Sequence, residues 1–393
     1  MSQSLKISSP PEKYDIVILG VGGMGSATLY TLAKRGLKVC GIEQFDLAHD
    51  RGSSHGETRL IRKAYFEHPD YIPLLNRAYD LWYEVEKEAG EQLFVKNGLV
   101  LAGKPNSEVI KGLDMCYEKH DLPHEKITVN EARKRFPQFH LPENFIVYYD
   151  PIAGFLHVEK AVEKFADLAR GYGATLHTNE KVLNWQPKQN HISITTDCRE
   201  IVADKLIITA GAWANQEMLS LGIDFDIWRK VLFWYDSHEI LNYKLGNFPS
   251  FYVELDFGGF YGFPAINQLG LKIGEHEIPG LTAQPDKLTR ALQSDDEPVV
   301  LRFFEKVFPG FQPTRTNFTV CMYTITPDFN FILDRHPEHE NVIIGAGFSG
   351  HGFKFAPVIG EILADLAIDG STSHPIDFLR LTRFKKSGQR KDT

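Results

Sequence analysis

Apolar and polar positions alternate along the chain in two rhythms. Asp15-Ile-Val-Ile-Leu19 is a short β-branched run of the kind that a strand buried on both faces needs, and it stops at Gly20. Apolar residues then recur at helical spacing. Ala27, Leu29, Tyr30, Leu32 and Ala33 fill a helix that Gly36 ends, after which Lys38-Val-Cys-Gly-Ile42 makes a second strand closed by Glu43. An amphipathic helix is expected over 69–89, where Ile72, Leu75, Tyr79, Trp82 and Val85 share a face and Gly90 is the stop. A second runs over 158–169 into Gly171, and a third runs up to Gly370. Strands are expected at 98–102, at 174–177 as a third parallel strand, at 191–196 as an antiparallel arm, and at 205–213 as a buried strand ending in a glycine turn. The segment 104–142 alternates helix and turn signals without recognisable chemistry. From 227 to 280 the chain becomes strand-rich and aromatic, with successive strands at 251–255, 260–264 and 269–276.

The first strand, helix and second strand frame a glycine motif. Gly20, Gly22 and Gly25 have the G-x-G-x-x-G spacing: one for the tight turn, one for approach of a pyrophosphate to the backbone, and one for close packing of helix on strand. Phosphates would sit on free amides at the helix N-terminus. Glu43 follows close to the roughly 20-residue spacing at which an acid binds a ribose hydroxyl pair. The motif predicts a dinucleotide and leaves FAD and NAD open, since both use this seat.

At 393 residues the chain exceeds one core of ordinary size, so two interleaved domains are expected. A formal net charge of −8 excludes a nucleic-acid binder, which would carry a basic face. No run approaches the ~20 apolar residues of a membrane span. The first 13 residues are polar and proline-bearing, a loose leader with neither secretory nor transit character, and the C-terminus is no peroxisomal address. The four cysteines lie too far apart for a C-x-x-C pair, which fits a reducing compartment, and the expectation is a cytoplasmic protein with no metal.

Three places carry candidate chemistry. The polar loop after Asp46 bears His55, Arg59 and Arg62, which either face cofactor and an anionic substrate or are surface residues. Lys272 stands between Leu271 and Ile273; it points into a site as a poised cation or lies on the outer face of its sheet. Gly345, Gly347, Gly350 and Gly352 form a turn from a buried strand into a helix, whose N-terminus suits negative charge on a reduced flavin ring and has no obvious use in a nicotinamide enzyme.

The glycine motif together with GSSHGETRLIRKAY (52–65), CMYTITPD (321–328) and FILDRHPEHENVIIGAGFSGHGFK (331–354) resembles the monomeric sarcosine oxidase family, which includes N-methyltryptophan and pipecolate oxidases. The resemblance runs from about Tyr14 to Phe384. It implies an FAD-dependent amine oxidase with FAD joined by a thioether to Cys321, and Gly20, Gly22, Gly25, Glu43, Ser54, Thr58, Val182, Gly350 and Gly352 as further cofactor contacts. By the same resemblance Arg62 and Lys354 hold a substrate carboxylate, with Lys354 also near the cofactor. Arg59 lies against the flavin, Lys272 promotes reaction with dioxygen, Tyr261, His276 and Tyr323 line the cavity, and Glu67 is a nearby acid. The chain departs from sarcosine-specific members, which carry His-His-Gly-Asp-Thr-Arg where it has Ser54-His-Gly-Glu-Thr-Arg59, and Tyr252 falls where a methionine lines the small sarcosine pocket. Its wording looks as much like the pipecolate oxidases.

The implied fold is α/β, a two-domain α+β arrangement. It has a Rossmann-like FAD-binding domain at 14–90, 150–215 and 318–385, interleaved with an antiparallel-sheet substrate domain at 91–149 and 216–317, and flexible tails at 1–13 and 386–393. The implied reaction oxidises sarcosine, L-pipecolate or a similar secondary amino acid to an imine and reduces dioxygen to hydrogen peroxide. The partners are a small amino acid and dioxygen, with no nucleic acid or membrane, and the chain is a monomer. The alternatives are a flavin dehydrogenase serving another acceptor, an oxidase of a bulkier N-alkyl amino acid, a nicotinamide dehydrogenase and a non-catalytic flavin-binding module.

Overall fold

The computed structural model describes residues 11–280 and 284–387. By contact the chain separates into two compact units, one made of 1–55, 159–226 and 324–393, the other of 56–158 and 227–323.

The first unit is built on the Glu12–Leu19 strand, whose Val17 and Ile18 are fully buried. It runs parallel to Val39–Ile42 on one side, with Val17 opposite Cys40, and to Glu200–Ile208 on the other, with Val17 opposite Leu206. Thr175–His177 extends the parallel set beyond Val39–Ile42, as its spacing predicts. The Glu200–Ile208 strand changes partner along its length: its first half pairs antiparallel with Ile192–Thr196, and its last residues pair parallel with Val342–Ala346. Where they are buried, at 16–18, Val39–Ile42, 206–208 and Val342–Ala346, these strands are wholly apolar. The Gly23–Lys34 and Ala356–Ile368 helices pack closely, because a Cβ on Gly360 would lie 2.8 Å from the Ala27 carbonyl oxygen. Of the expected tails, residues 1–10 and 388–393 lie outside the described residues, while Glu12 and Lys13 already pair with Ile201 and Val202.

The second unit holds an eight-stranded sheet running from Thr314–Ile325 at one edge to Glu125–Ile127 at the other. The aromatic stretch forms its middle, with Asp226–Asp236, Leu271–Glu275, Gly258–Phe263 and Ser250–Leu255 as neighbours. The last of these pairs parallel with Leu99–Gly103, and the antiparallel character predicted for this sheet holds for its other registered pairs. One face is sealed by an aromatic cluster including Phe139, Phe248, Phe251, Phe303, Phe304 and Phe308. The Pro298–Val307 helix supplies Phe303 and Phe304 to it.

A small sheet in the same unit joins Thr58–Ile61, Gly154–His157 and Phe94–Val95. The stretch read from sequence as a polar loop is therefore strand from Thr58, with Arg59 opposite Leu156. That pairing groups 56–90 with the second unit, where the sequence reading had it beside the nucleotide strand. The Ile72–Ala89 helix is present with its apolar stripe buried, and Gly90 ends it in the left-handed region at φ 61°. Among the described residues no helix is long and apolar enough to cross a membrane.

Candidate active site

In the first unit the glycine motif does what its spacing requires. Gly20 takes φ 88° against the carbonyl of Thr209, where an added Cβ would come within 2.8 Å. At Gly25 a Cβ would lie 1.9 Å from the Gly20 carbonyl oxygen, so this position exists for close approach of helix and strand. Gly22 is the N-cap of the Gly23–Lys34 helix, with no side-chain cap and no acid in the first turn. The positive end of the helix is thus left without an anionic side chain, which fits pyrophosphate. Glu43 is 5% exposed; its Oε2 accepts from the Val21 amide at 2.9 Å and its Oε1 from Phe45 at 3.1 Å. Ser54 Oγ accepts from the Gly23 amide at 3.0 Å, bracing the helix start. Val182 begins the Val182–Pro187 strand opposite Thr196.

The second glycine turn meets the first: a Cβ on Gly23 would lie 2.8 Å from the Phe353 ring. Gly347 and Gly350 take φ 64° and 80°, and a Cβ on Gly352 would strike Phe348 at 2.6 Å. The turn does not open directly into the long helix. A short 3-10 turn, Phe353–Phe355, precedes Ala356–Ile368, and Lys354 rides on it, buried, with Nζ donating to the His351 carbonyl at 2.7 Å. A helix start without an acidic side chain, a carboxylate and tight glycine turns together fit a dinucleotide such as FAD.

In the second unit, Arg59 and Cys321 come together. Arg59 Nη2 donates to the buried Cys321 Sγ at 3.5 Å, and its Nη1 to the Thr58 carbonyl at 2.9 Å. Around them stand three ring-bearing residues named from sequence, Tyr261, His276 and Tyr323, with Tyr252 beside His276. His276 Nδ1 lies 3.2 Å from the Tyr323 hydroxyl, and its ring meets those of Tyr261 and Tyr252 edge-on at 6.1 and 6.0 Å. Burial pushes the Tyr261 phenol up to about 12 and those of Tyr252 and Tyr323 well above the ordinary range. All three are therefore neutral hydrogen-bonding walls, unsuited to act as bases.

Arg62 is 3% exposed, stacked 4.0 Å over the Phe66 ring, with Nη2 donating to both Glu67 oxygens at 2.8 and 2.7 Å. Burial works against its charge, but the Glu67 carboxylate outweighs burial and holds its pKa above the ordinary value. Phe66 in turn packs on Tyr252 at 5.1 Å. Arg62, Glu67 and Tyr252 thus share one wall of this unit.

Lys272, left open between two faces by its spacing, is 2% exposed. Its ammonium donates to the Gly56 carbonyl, to the Thr58 carbonyl at 2.7 Å and to Thr58 Oγ1 at 3.0 Å. The Thr58 hydroxyl is thereby engaged by a lysine of its own unit. The sequence reading did not single out Lys230, Glu277, Glu57 or Trp234. Lys230 pairs with Glu275 at 2.6 Å, and burial lowers its pKa. Glu277 accepts from the Tyr252 hydroxyl at 2.8 Å, and desolvation raises its pKa to about 7. Only the position of Glu277 next to His276 hinted at a role; the rest depend on partners far away in sequence. No group of three or more metal-ligating side chains occurs among the described residues.

Comparison with known proteins agrees with this geometry. The family model described as FAD dependent oxidoreductase matches residues 15–366. The chain is 38% identical over 369 residues to the monomeric sarcosine oxidase of Streptomyces avermitilis, covering 92% of this chain and 96% of the relative. It is 35% identical over 376 residues to the N-methyl-L-tryptophan oxidase of Salmonella dublin, covering 95% and 100%. The solved L-proline dehydrogenase from P. horikoshii superposes with a TM-score of 0.84 at 25% identity, covering 96% of this chain and 99% of that one. A dinucleotide seat in one unit, and in the other a buried guanidinium and a cysteine beside an arginine, accompany a match that spans most of the sequence: the chain belongs to the FAD dependent oxidoreductase family, among its sarcosine oxidase-like members.

Proposed function

We propose that the protein oxidises a secondary amino acid, N-methyl or cyclic, at the bond between nitrogen and the neighbouring carbon. The amine loses two electrons and two protons and becomes an imine, while dioxygen gains both and becomes hydrogen peroxide. Sarcosine would give glycine and formaldehyde after hydrolysis; L-pipecolate would give a cyclic imine. When bound, FAD supplies the two-electron acceptor that links the two halves.

Arg62 is the observation that carries the reading. A guanidinium 3% exposed and stacked on an aromatic ring is preorganised for a carboxylate, which fits an amino acid better than a simple amine. Glu67 already holds that guanidinium in place. Lys354 is proposed as the second cation for the carboxylate, so Lys354→Ala should mainly weaken substrate binding. Tyr261 and Tyr323 supply neutral hydrogen-bonding groups, with the His276 ring beside them, that orient the amine. A neutral amine needs little acid–base assistance, so orientation and electrostatics are what the protein contributes. Lys272 offers a fixed positive charge, which favours electron transfer to dioxygen because superoxide develops there. Cys321 is the proposed point of thioether attachment, with Arg59 against the sulfur. The protein is proposed to act as a cytoplasmic monomer, in keeping with its four free cysteines.

The test is peroxide release, by a peroxidase-coupled assay, from purified protein given sarcosine, L-pipecolate, N-methyltryptophan and L-proline. Peroxide with at least one substrate is the expected result. Flavin reduction without peroxide would identify a dehydrogenase using another acceptor, and neither would remove the amine reading.

A further inference from the structure

The Lys272 ammonium is held by two carbonyls that flank a single residue. Gly56 and Thr58 both point their carbonyl oxygens at Nζ, the second at 2.7 Å. Oxygens two residues apart along a chain converge on one atom only if the residue between them turns sharply. Gly56 takes φ 88° and Glu57 φ 67°, two successive residues in the left-handed region. For glycine that conformation is free; for glutamate it costs about 1 kcal/mol or more and persists only where surroundings impose it.

The turn is closed by the Thr58 amide, which donates to the Gly56 carbonyl at 2.8 Å, and is anchored by the glutamate's own side chain. Glu57 Oε2 accepts from Trp234 Nε1 at 2.6 Å and Oε1 from Asn267 Nδ2 at 2.5 Å. Its backbone carbonyl accepts from the Val158 amide at 2.9 Å. Trp234 stands directly opposite Lys272 in the strand register, and the lysine Nζ lies 5.5 Å from its ring. The carboxylate therefore ties the turn to the strand paired with the lysine's own and to the loop that leads into the lysine's strand. Gly56 seals the arrangement, since a Cβ there would meet Leu232 Cδ1 of that strand at 2.7 Å.

We propose that Glu57 is a positioning residue for the oxygen half of the reaction: clamped by Trp234 and Asn267, it holds the 56–58 turn in the shape that fixes the Lys272 ammonium. The inference rests on the reading of Lys272 as the group that promotes reaction with dioxygen. Removing the clamp lets Glu57 leave the left-handed region, the two carbonyls diverge, and the ammonium loses its fixed place. The amino-acid half of the reaction does not depend on that place.

The experiment uses the holoenzyme and four variants: Glu57→Ala, Glu57→Gln, Lys272→Met and the double variant Glu57→Ala/Lys272→Met. Stopped-flow mixing measures anaerobic reduction by substrate and reoxidation of reduced enzyme by dioxygen separately. Glu57→Ala is expected to slow reoxidation by about tenfold, the scale of one lost charge-assisted hydrogen bond, and to change reduction less than about twofold. Glu57→Gln, which keeps an acceptor, should recover most of the rate. In the Lys272→Met background Glu57→Ala should add nothing, because the two act as one unit. With 15N-labelled tryptophan, the Trp234 indole signal should shift upfield in Glu57→Ala as its hydrogen bond is lost, whatever the turnover rate. If Lys272→Met slows reoxidation but Glu57→Ala does not, or if their effects add, the inference fails. If Lys272→Met leaves reoxidation intact, the reading of Lys272 beneath it fails. Should Glu57→Ala not fold, Trp234→Phe removes the donor instead, and unchanged reoxidation in that variant overturns the inference equally.

Discussion

Arg59 Nη2 donates to Cys321 Sγ across 3.5 Å although 262 positions separate the two residues. A cation fixed beside a sulfur favours negative charge on it while a bond forms there. The parent protein should retain its flavin in the pellet on acid precipitation, and Cys321→Ser should release all of it to the supernatant. Arg59→Ala should lower the retained fraction with Cys321 intact. Yellow colour held in the pellet by Cys321→Ser would place the linkage on another residue.

Arg62 predicts a split in the kinetic constants. Arg62→Ala would delete the proposed charge-assisted contact to the substrate carboxylate, worth about 3 kcal/mol, so KM for the amino acid should rise roughly a hundredfold while kcat changes much less. Steady-state kinetics over a substrate series decides it. A fall confined to kcat, with KM unchanged, would mean that the carboxylate is held elsewhere.

Legibility from sequence followed distance along the chain. The seat around Gly20, Gly22 and Gly25 is largely local: strand, turn and helix are consecutive, and the approach of Gly25 to the Gly20 carbonyl follows from their spacing, whereas the packing of Gly20 on Thr209 does not. Lys272 was ambiguous because Leu271 and Ile273 are apolar and the sheet has a buried face, so alternation alone allowed either direction. What decides it is a turn 214 positions away that offers carbonyls to the ammonium. The same holds for 56–90, drawn to the second unit by pairing of Arg59 with Leu156, and for Glu57, whose left-handed backbone no propensity of glutamate foretells. Conversely the tight contact of Gly23 with Phe353 shows two glycine turns, both named from sequence, packed together by a sheet order that sequence could not supply.

Asp150 predicts a pH dependence of stability. It is 1% exposed, and desolvation raises its carboxyl from 3.8 to about 6 despite bonds from the Ile152 and Ala153 amides and the charge of Arg62. An acid raised by folding favours the fold in its protonated form, so that contribution is complete below pH 3.8 and is lost as pH climbs to about 6. The full loss is on the order of 3 kcal/mol. Asp150→Asn keeps an oxygen for the two amides without the charge. Its stability relative to the parent should rise across that interval and level off above it, as denaturant unfolding at a series of pH values would show. A difference independent of pH would contradict the assignment.

Two glycines offer an internal control on the nucleotide seat. A Cβ at Gly25 would sit 1.9 Å from a backbone oxygen, whereas at Gly36, with φ 85°, nothing lies within 4 Å. Gly36→Ala should cost about 1 kcal/mol from backbone strain alone and keep its flavin. Gly25→Ala must displace the helix start, and should lose several times more stability together with FAD. Equal effects in thermal unfolding and flavin content would remove the packing argument.

The most direct measurement is anaerobic mixing of the purified yellow protein with sarcosine and, separately, with L-pipecolate, while its visible flavin absorption is followed. The account predicts that at least one of them bleaches the flavin, and that admitting air restores the colour and yields one hydrogen peroxide per flavin reoxidised. A flavin that stays oxidised in the presence of every N-methyl and cyclic amino acid tried would contradict it.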